Sequence, residues 1–122
     1  MTWTAEIEAA RTRTLGHVRR TPVLRTSGFG LDCQLEIKFE QMQHTGSFKP
    51  RGAFNTLLQG GIGSAGVVAA SGGNHGAAVA FAAATLGIPA RIFVPRIAGA
   101  SKIALIERTG AALTVTEGAY AN

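Results

Sequence analysis

The spacing of apolar positions along the chain predicts alternating strands and helices. Leu35, Ile37 and Phe39 alternate with charged residues, which indicates a strand with one buried face. Residues 67–70 are wholly apolar, which is typical of a central parallel strand buried on both faces. The predicted elements are a helix over 4–15, a strand over 35–39, a helix from 47, a strand over 67–70, a helix over 76–86, a strand over 91–94, a helix over 101–110 and a strand over 113–115.

The order of these elements predicts an α/β fold. From residue 67 onward a strand, a helix, a strand, a helix and a strand follow one another, which predicts a parallel sheet with right-handed crossovers. Thr4, Ser47 and Ser101 are the expected N-caps of their helices. The glycine-rich segment 60–66 is the best internal boundary, so we expect two units, residues 1–63 and residues 64–122.

Composition and charge narrow the class of protein. The chain has 122 residues and a net charge of +5, but its basic residues are scattered. The one basic cluster, from Arg11 to Arg25, contains no aromatic residue, which indicates a solvated face or a subunit contact rather than a nucleic-acid site. We expect no nucleic-acid partner.

The single cysteine and the apolar segments indicate in which cellular compartment the protein is expected. Cys33 has no partner for an intrachain disulfide, which fits a reducing cytoplasm. The N-terminus lacks the pattern of a signal peptide. The longest apolar stretch, residues 76–86, is too short to span a bilayer. We therefore expect a cytoplasmic protein without a membrane partner.

Lys49 stands out because of its surroundings, the run QHTGSFKPRGA over residues 43–53. A glycine-containing turn precedes it, and the predicted helix begins just before it. The helix dipole, together with any partial burial, would disfavour the charged ammonium and leave a neutral amine that attacks carbonyl groups. A solvated lysine at a helix start is the alternative, and for a lone lysine it is the commoner case.

The run SGGNHG over residues 71–76 lies where α/β proteins bind ligands. It follows a buried strand and precedes a helix, so its free N–H groups can attract phosphate or carboxylate. Asn74 adds an amide that can donate or accept. A tight turn with a capping asparagine explains the same residues equally well.

Other motifs carry less weight. The run GIGSAG over 61–66 matches a dinucleotide-binding fingerprint, but it follows a helix instead of a strand and no acidic residue lies at the required distance. His17, His44 and His75 lack the spacing of metal ligands, so we expect no metal site. Ser47 is better explained as a helix cap than as a nucleophile.

Taken together, these motifs resemble the N-terminal part of a fold-type II pyridoxal-phosphate enzyme, of the serine/threonine dehydratase (ammonia-lyase) branch. The resemblance extends from about Arg20 to Tyr120. It rests on RTPV at 20–23, EIKFEQ at 36–41, TGSFKPRGA at 45–53 and SGGNHG at 71–76. It implies a three-layer fold with a parallel sheet, like that of the tryptophan synthase β-subunit, apparently truncated.

The resemblance also implies residue roles with pyridoxal 5′-phosphate as cofactor. Lys49 would be the Schiff-base lysine and then the general base at the substrate Cα. Phe48 would pack beside the pyridoxal ring, and Asn74 would bind its 3-hydroxyl oxygen. The substrate carboxylate would be held by Ser71, Gly72, Gly73, Asn74 and His75.

The implied reaction converts serine or threonine into a 2-oxo acid and ammonia. Cysteine-synthase-like relatives usually have threonine where this chain has His75, and serine racemases have a second serine where it has Gly72. Both differences favour dehydration. Which amino acid is preferred stays open, as does a β-replacement activity.

Two parts of the family's site have no counterpart here. The family's phosphate-binding loop and its partner for the pyridine nitrogen lie well beyond position 122, and residues 119–122 fall where the family begins another helix. We therefore expect a truncated chain that works as a homo-oligomer or with a complementing chain. The alternatives are a catalytically silent fragment with a binding or assembly role, and a small nucleic-acid-binding module.

Overall fold

The structure is a computed structural model, and it describes residues 2–117. The helix start expected over residues 119–122 lies outside the described residues. Short 3-10 turns cover Glu40–Met42 and His44–Gly46. The helices and strands are α1 (Trp3–Arg13), β1 (Val23–Gly28), β2 (Leu31–Lys38), α2 (Lys49–Leu57), β3 (Val67–Ala70), α3 (Asn74–Leu86), β4 (Ala90–Pro95), α4 (Ala100–Glu107) and β5 (Ala112–Thr116).

The second half of the chain forms the expected parallel sheet. Its strand order is β3-β4-β5, and both pairs are parallel. The central strand is β4, where Ile92 and Val94 are fully buried. The prediction that strand 67–70 is central and buried on both faces was wrong. Within residues 2–117, β3 pairs only with β4, and Val68 is 68% exposed at the edge of the sheet.

The first half contributes an antiparallel hairpin that the sequence only partly predicted. β1 pairs with β2 in a register that sets Val23 opposite Lys38 and Thr26 opposite Leu35. Leu35 and Ile37 are half-buried, as the alternating pattern predicted, whereas Phe39 lies just beyond the strand. Strand pairing depends on a second strand, which the pattern of one strand does not reveal.

The core lies where α2 and α4 pack against α3 and the sheet. Phe54 and Ile106 are fully buried, and alanines cover most of the buried face of α3. These small side chains let the neighbouring elements approach α3 closely. Phe54 packs edge-to-face against Phe81, with 6.0 Å between ring centroids, and His17 stacks on its other side at 5.3 Å. Among the described residues no helix is long and apolar enough to cross a membrane.

Helix α1 begins and ends earlier than predicted. Thr2, not Thr4, is its N-cap, and the Thr2 hydroxyl accepts a hydrogen bond from the Ala5 amide at 3.4 Å. The helix ends at Arg13, because Thr14 leaves the helical conformation. Thr2 and Thr4 can both act as a cap at this end, and sequence spacing alone selected the wrong one.

Helix α4 also differs from its prediction. It begins at Ala100 and ends at Glu107, with Gly99 as N-cap in place of Ser101. The Gly99 carbonyl oxygen accepts hydrogen bonds from the amides of Lys102 and Ile103. The backbone therefore starts this helix without help from a side chain, and residues 108–110 form a turn beyond its end.

Candidate functional site

Helix α2 begins at Lys49, later than the predicted start at residue 47. Lys49 is the first residue of α2, and Pro50 lies buried in the first turn, where proline costs no hydrogen bond. Phe48 immediately precedes this helix and already has helical dihedral angles, whereas Ser47 is extended, as an N-cap residue is. The buried Ser47 hydroxyl accepts a 3.4 Å hydrogen bond from the Lys49 amide, which is the contact expected of the predicted cap.

The amine of Lys49 lies beside the ring of Phe48. Its Nζ atom lies 5.0 Å from the centroid of the Phe48 ring, and it has no hydrogen-bond partner within residues 2–117. Lys49 is exposed, so the partial burial that would favour a neutral amine is not observed. Its amine is therefore accessible to a ligand that approaches the start of α2.

The loop before Lys49 is conformationally strained. Thr45 has a φ of 60° and a ψ of 9°, a left-handed conformation that is costly for a β-branched residue. Its buried hydroxyl has no hydrogen-bond partner in the described part of the chain. Gly46 follows with a φ of 76°. Such strain costs on the order of 1–3 kcal/mol and persists only where surrounding contacts impose it.

His44 occupies a partly buried position beside this loop. Its ring stacks on Phe81, with 4.8 Å between centroids. Burial, and to a smaller extent the charge of Arg19, lowers the pKa of His44 below 6.5. His44 is therefore a neutral packing residue at pH 7 in this structure.

An ion pair that the sequence did not reveal supports the first turn of α2. Arg51 Nε and Nη2 donate to the two carboxylate oxygens of Glu40, each at 2.8 Å. The buried Thr21 hydroxyl donates to the same carboxylate at 2.5 Å. The Arg51 hydrogen bonds lower the pKa of Glu40 to about 2, and the pKa of Arg51 is raised. The sequence offered one signal for this ion pair, which is that Glu40 and Arg51 have opposite charges and lie in two neighbouring motifs.

The first residues of the SGGNHG run, 71–73, form a loop that follows β3 and leads directly into α3. The Ser71 amide donates to the Phe93 carbonyl at 2.9 Å, and the Ser71 hydroxyl accepts from the Gly73 amide at 3.2 Å. Helix α3 begins at Asn74, two residues before the predicted start, so Asn74 and His75 belong to its first turn. No side chain caps this end, and no acidic residue lies in the first turn.

Gly76 is needed for packing and not for ligand approach. A Cβ atom at this position would lie 2.0 Å from the Ser71 carbonyl oxygen and 3.2 Å from the Ile92 side chain. The absence of a side chain therefore lets α3 lie directly against the end of β3. This contact fixes where the N-terminus of α3 sits relative to the sheet.

Lys49 and His75 line one cleft of about 510 Å³ between α2 and the β3–α3 unit, here called the lysine cleft. Phe48 lies at the same wall. Four predicted site residues, Ser71, Gly72, Gly73 and Asn74, precede His75 but do not line the cleft. The remaining wall is largely apolar and includes Ala53, Leu57, Val67, Ala69 and Val79.

The lysine cleft therefore combines an aromatic face, an apolar wall and an amine without a hydrogen-bond partner in residues 2–117, and His75 from the first turn of α3 borders it. An amine forms a covalent bond with a carbonyl carbon, and the start of a helix attracts anionic groups. A planar carbonyl compound with an acidic substituent matches this set of groups.

Comparison with known proteins identifies the family. The model of the family described as "Pyridoxal-phosphate dependent enzyme" matches residues 14–122. The chain is 44% identical to the catabolic L-threonine dehydratase TdcB of Escherichia coli K12 over 103 residues, which are 81% of this chain and 31% of that protein. It is also 44% identical to an L-threo-3-hydroxyaspartate ammonia-lyase of a Pseudomonas species over 110 residues, 87% of this chain and 34% of that protein.

A solved structure agrees with this result. The structure of maize serine racemase superposes with a TM-score of 0.88 at 37% sequence identity, covering 97% of this chain and 37% of that one. The chain spans about a third of the length of the curated relatives it matches. The resemblance found in the motifs is thus confirmed, and the chain belongs to the pyridoxal-phosphate dependent enzyme family.

Proposed function

We propose that this chain provides the lysine half of a pyridoxal-phosphate site that catalyses β-elimination from a hydroxy amino acid. The observation that carries the proposal is the lysine cleft, which brings Lys49 and His75 to one site although they lie 26 positions apart. The lysine motif (45–53) and the SGGNHG motif (71–76) therefore each contribute a residue to the same cleft.

The residues present fit the cofactor that the family uses. Pyridoxal phosphate has a flat ring, an aldehyde carbonyl and acidic groups. Lys49 supplies an amine without another partner within residues 2–117, and Phe48 supplies an aromatic face beside it. The start of α3 has neither a side-chain cap nor an acidic residue in its first turn, so its N–H groups can meet an anion.

The chemistry that the cofactor supplies when bound is electron withdrawal from the substrate Cα. In this proposal Lys49 Nζ would hold the cofactor through its carbonyl carbon, with the carbonyl oxygen leaving as water, and once displaced it would accept the proton from the substrate Cα. Phe48 would pack beside the ring, and Asn74 would bind the 3-hydroxyl oxygen. The substrate carboxylate would be bound by Ser71, Gly72, Gly73, Asn74 and His75.

The proposed net reaction removes ammonia from serine, threonine or a related 3-hydroxy amino acid and yields a 2-oxo acid. The names of the dehydratase and ammonia-lyase relatives support elimination. One structural neighbour is named a serine racemase, so racemisation is the competing outcome to measure. Gly72, in place of the second serine of racemases, favours elimination.

Completing the site requires further polypeptide in this proposal. Val68 lines the lysine cleft and is 68% exposed, and its strand β3 pairs only with β4 among residues 2–117. We propose that a second copy or a complementing chain covers this face. The division into units 1–63 and 64–122 and a cytoplasmic location stay predictions.

The experiment is an assay of ammonia and 2-oxo acid release with saturating pyridoxal 5′-phosphate. L-serine, L-threonine and L-threo-3-hydroxyaspartate are offered separately, and the chirality of residual substrate is measured alongside. We expect release from at least one of them, abolished by Lys49→Ala and retained in Lys102→Ala. Inversion of chirality without ammonia would instead indicate a racemase, and neither product would leave only a binding role for this chain.

A further inference from the structure

The loop that carries Lys49 is fastened at both ends to one backbone atom. Gln43 lies before this loop and Arg51 lies after it. Gln43 Nε2 donates to the carbonyl oxygen of Arg19 at 2.8 Å, and Arg51 Nη2 donates to the same oxygen at 3.1 Å. Residues 44–50 therefore form a bridge whose two ends are held against the segment 19–21.

The side chain of Gln43 is the more constrained of the two attachments. It is 2% exposed, and its Oε1 atom accepts hydrogen bonds from the amides of Arg19 at 2.9 Å and His44 at 3.0 Å. One buried side-chain amide thus satisfies three backbone groups. Removing it would take away the partner of the part-buried Arg19 and His44 amides, while the Arg19 carbonyl would keep its hydrogen bond from Arg51. A buried amide left without a partner costs up to about 1–3 kcal/mol, and less where water reaches it.

The loop needs such an external support. Thr45 and Gly46 both have left-handed backbones, and the Thr45 hydroxyl has no partner among the described residues. Conformations of this kind persist only when neighbouring contacts impose them. The Gln43 hydrogen bonds act directly at the start of this strained turn, and the Arg51–Glu40 pair acts at the other end.

We propose that Gln43 is a positioning residue for Lys49. The inference rests on the proposed function of Lys49 as the residue that bonds the pyridoxal carbonyl. Gln43 does not line the lysine cleft, so it acts through the loop and not by touching a ligand. It holds the turn 44–46 against segment 19–21, and this fixes the direction from which Lys49 enters the cleft.

The test compares Gln43→Met with Gln41→Met in the same chain. Gln41 is exposed, lies two positions away and has no side-chain hydrogen bond within residues 2–117, so it is a matched control. Each protein is incubated with pyridoxal 5′-phosphate and reduced with borohydride. Peptide mass spectrometry then gives the rate at which each of the three lysines, Lys38, Lys49 and Lys102, acquires a pyridoxyl group.

A second ligand separates binding from bond formation. Pyridoxine 5′-phosphate lacks the aldehyde and cannot bond to lysine, so calorimetry with it reports binding alone. We expect Gln43→Met to slow trapping at Lys49 by at least about tenfold, since small misplacements of a reacting group have effects of that size. Its affinity for pyridoxine 5′-phosphate should stay that of the wild type. Gln41→Met should match the wild type in both measurements.

The outcomes distinguish the positioning role of Gln43 from the proposed function of Lys49. Wild-type trapping at Lys49 in Gln43→Met overturns the positioning role. A parallel loss of trapping and of pyridoxine 5′-phosphate affinity also overturns it, because it indicates a merely structural role. Equal labelling of the three lysines in the wild type overturns the proposed function of Lys49, and the positioning role with it.

A measurement on the unmodified protein covers the case in which Gln43→Met does not fold. The amides of Arg19 and His44 both donate to Gln43 Oε1, whereas Phe29 lies at the exposed hairpin tip. Hydrogen exchange at Arg19 and His44 should be much slower than at Phe29. Exchange as fast as at Phe29 would overturn the positioning role without any substitution.

Discussion

Arg51 and Glu40 form a two-point ion pair in which both hydrogen bonds measure 2.8 Å. The pair joins the first turn of α2 to the 3-10 turn that follows β2, and Lys49 lies two residues before Arg51. Paired charges in fork geometry are stronger than single-point contacts. The structural support of the candidate catalytic lysine is therefore itself ionic, and it should respond to pH.

The first prediction concerns acid stability. The pKa of Glu40 is lowered from 4.5 to about 2 in the folded protein, chiefly by Arg51. A lowered carboxylate pKa stabilises the folded state above about pH 4.5, and this contribution is lost as the pH falls towards 2. The full contribution is at most about 3 kcal/mol. Urea unfolding at pH 6 and pH 3 should show a smaller loss for Glu40→Gln than for the wild type.

The control for this experiment is Glu36→Gln. Glu36 pairs with Arg25 at 2.7 Å, but both side chains are largely exposed, so the pair contributes little. The free energy of unfolding of Glu36→Gln should therefore change between pH 6 and pH 3 by as much as that of the wild type. His44, whose lowered pKa also destabilises the fold in acid, is common to all three proteins and cancels. Equal losses in Glu40→Gln and the wild type would contradict the assignment.

The second prediction concerns the contact between α3 and β3. Gly76→Ala would place a methyl group 2.0 Å from the Ser71 carbonyl oxygen, so the helix has to move. We expect a loss of roughly 1–3 kcal/mol or more in the free energy of unfolding. Gly52→Ala is the control, because nothing lies within 4 Å of a Cβ there and alanine favours the interior of α2. That control should gain up to about 1 kcal/mol.

The third prediction concerns the strained turn before the lysine. Thr45→Gly removes a β-branched residue from a left-handed conformation and deletes a buried hydroxyl without a partner within residues 2–117. The free energy of unfolding should rise by up to about 1 kcal/mol, after the entropic cost of glycine is included. Thr56→Gly, on the exposed side of α2, should instead lose roughly 0.3 kcal/mol, because glycine is a poorer helix former than threonine. A loss at Thr45 similar to that at Thr56 would show that the turn is not strained.

Local patterns predicted the framework of this fold well. The apolar strand 67–70, the strand 91–94 and the strand 113–115 all lie within observed strands, and their parallel pairing is confirmed. Short-range patterning was sufficient because each strand is bounded by glycine or a helix signal. Helix α3 ends at Leu86, as predicted, because the glycine that follows it, Gly87, takes a left-handed backbone conformation.

Features that depend on distant partners were not predictable in this way. The apolar pattern of 67–70 is the same for a central strand and an edge strand. Only the strands that pair with it show which of the two positions it takes in the sheet. The hydrogen bonds of Gln43 reach 24 positions back to Arg19, and Glu40 meets Arg51 across 11 positions with no periodic signal. The candidate site was found from its motifs, whereas the groups that hold it in place required the structure.

The position of the lysine-bound pyridoxyl group tests the central claim most directly. The protein is saturated with pyridoxal 5′-phosphate, reduced with borohydride and digested, and the modified peptide is sequenced by mass spectrometry. The lysine cleft predicts modification at Lys49, with Lys38 and Lys102 largely unmodified, and loss of the site-specific product in Lys49→Ala. Equal modification of all three lysines, or a preference for one of the other two, would contradict the assignment of Lys49.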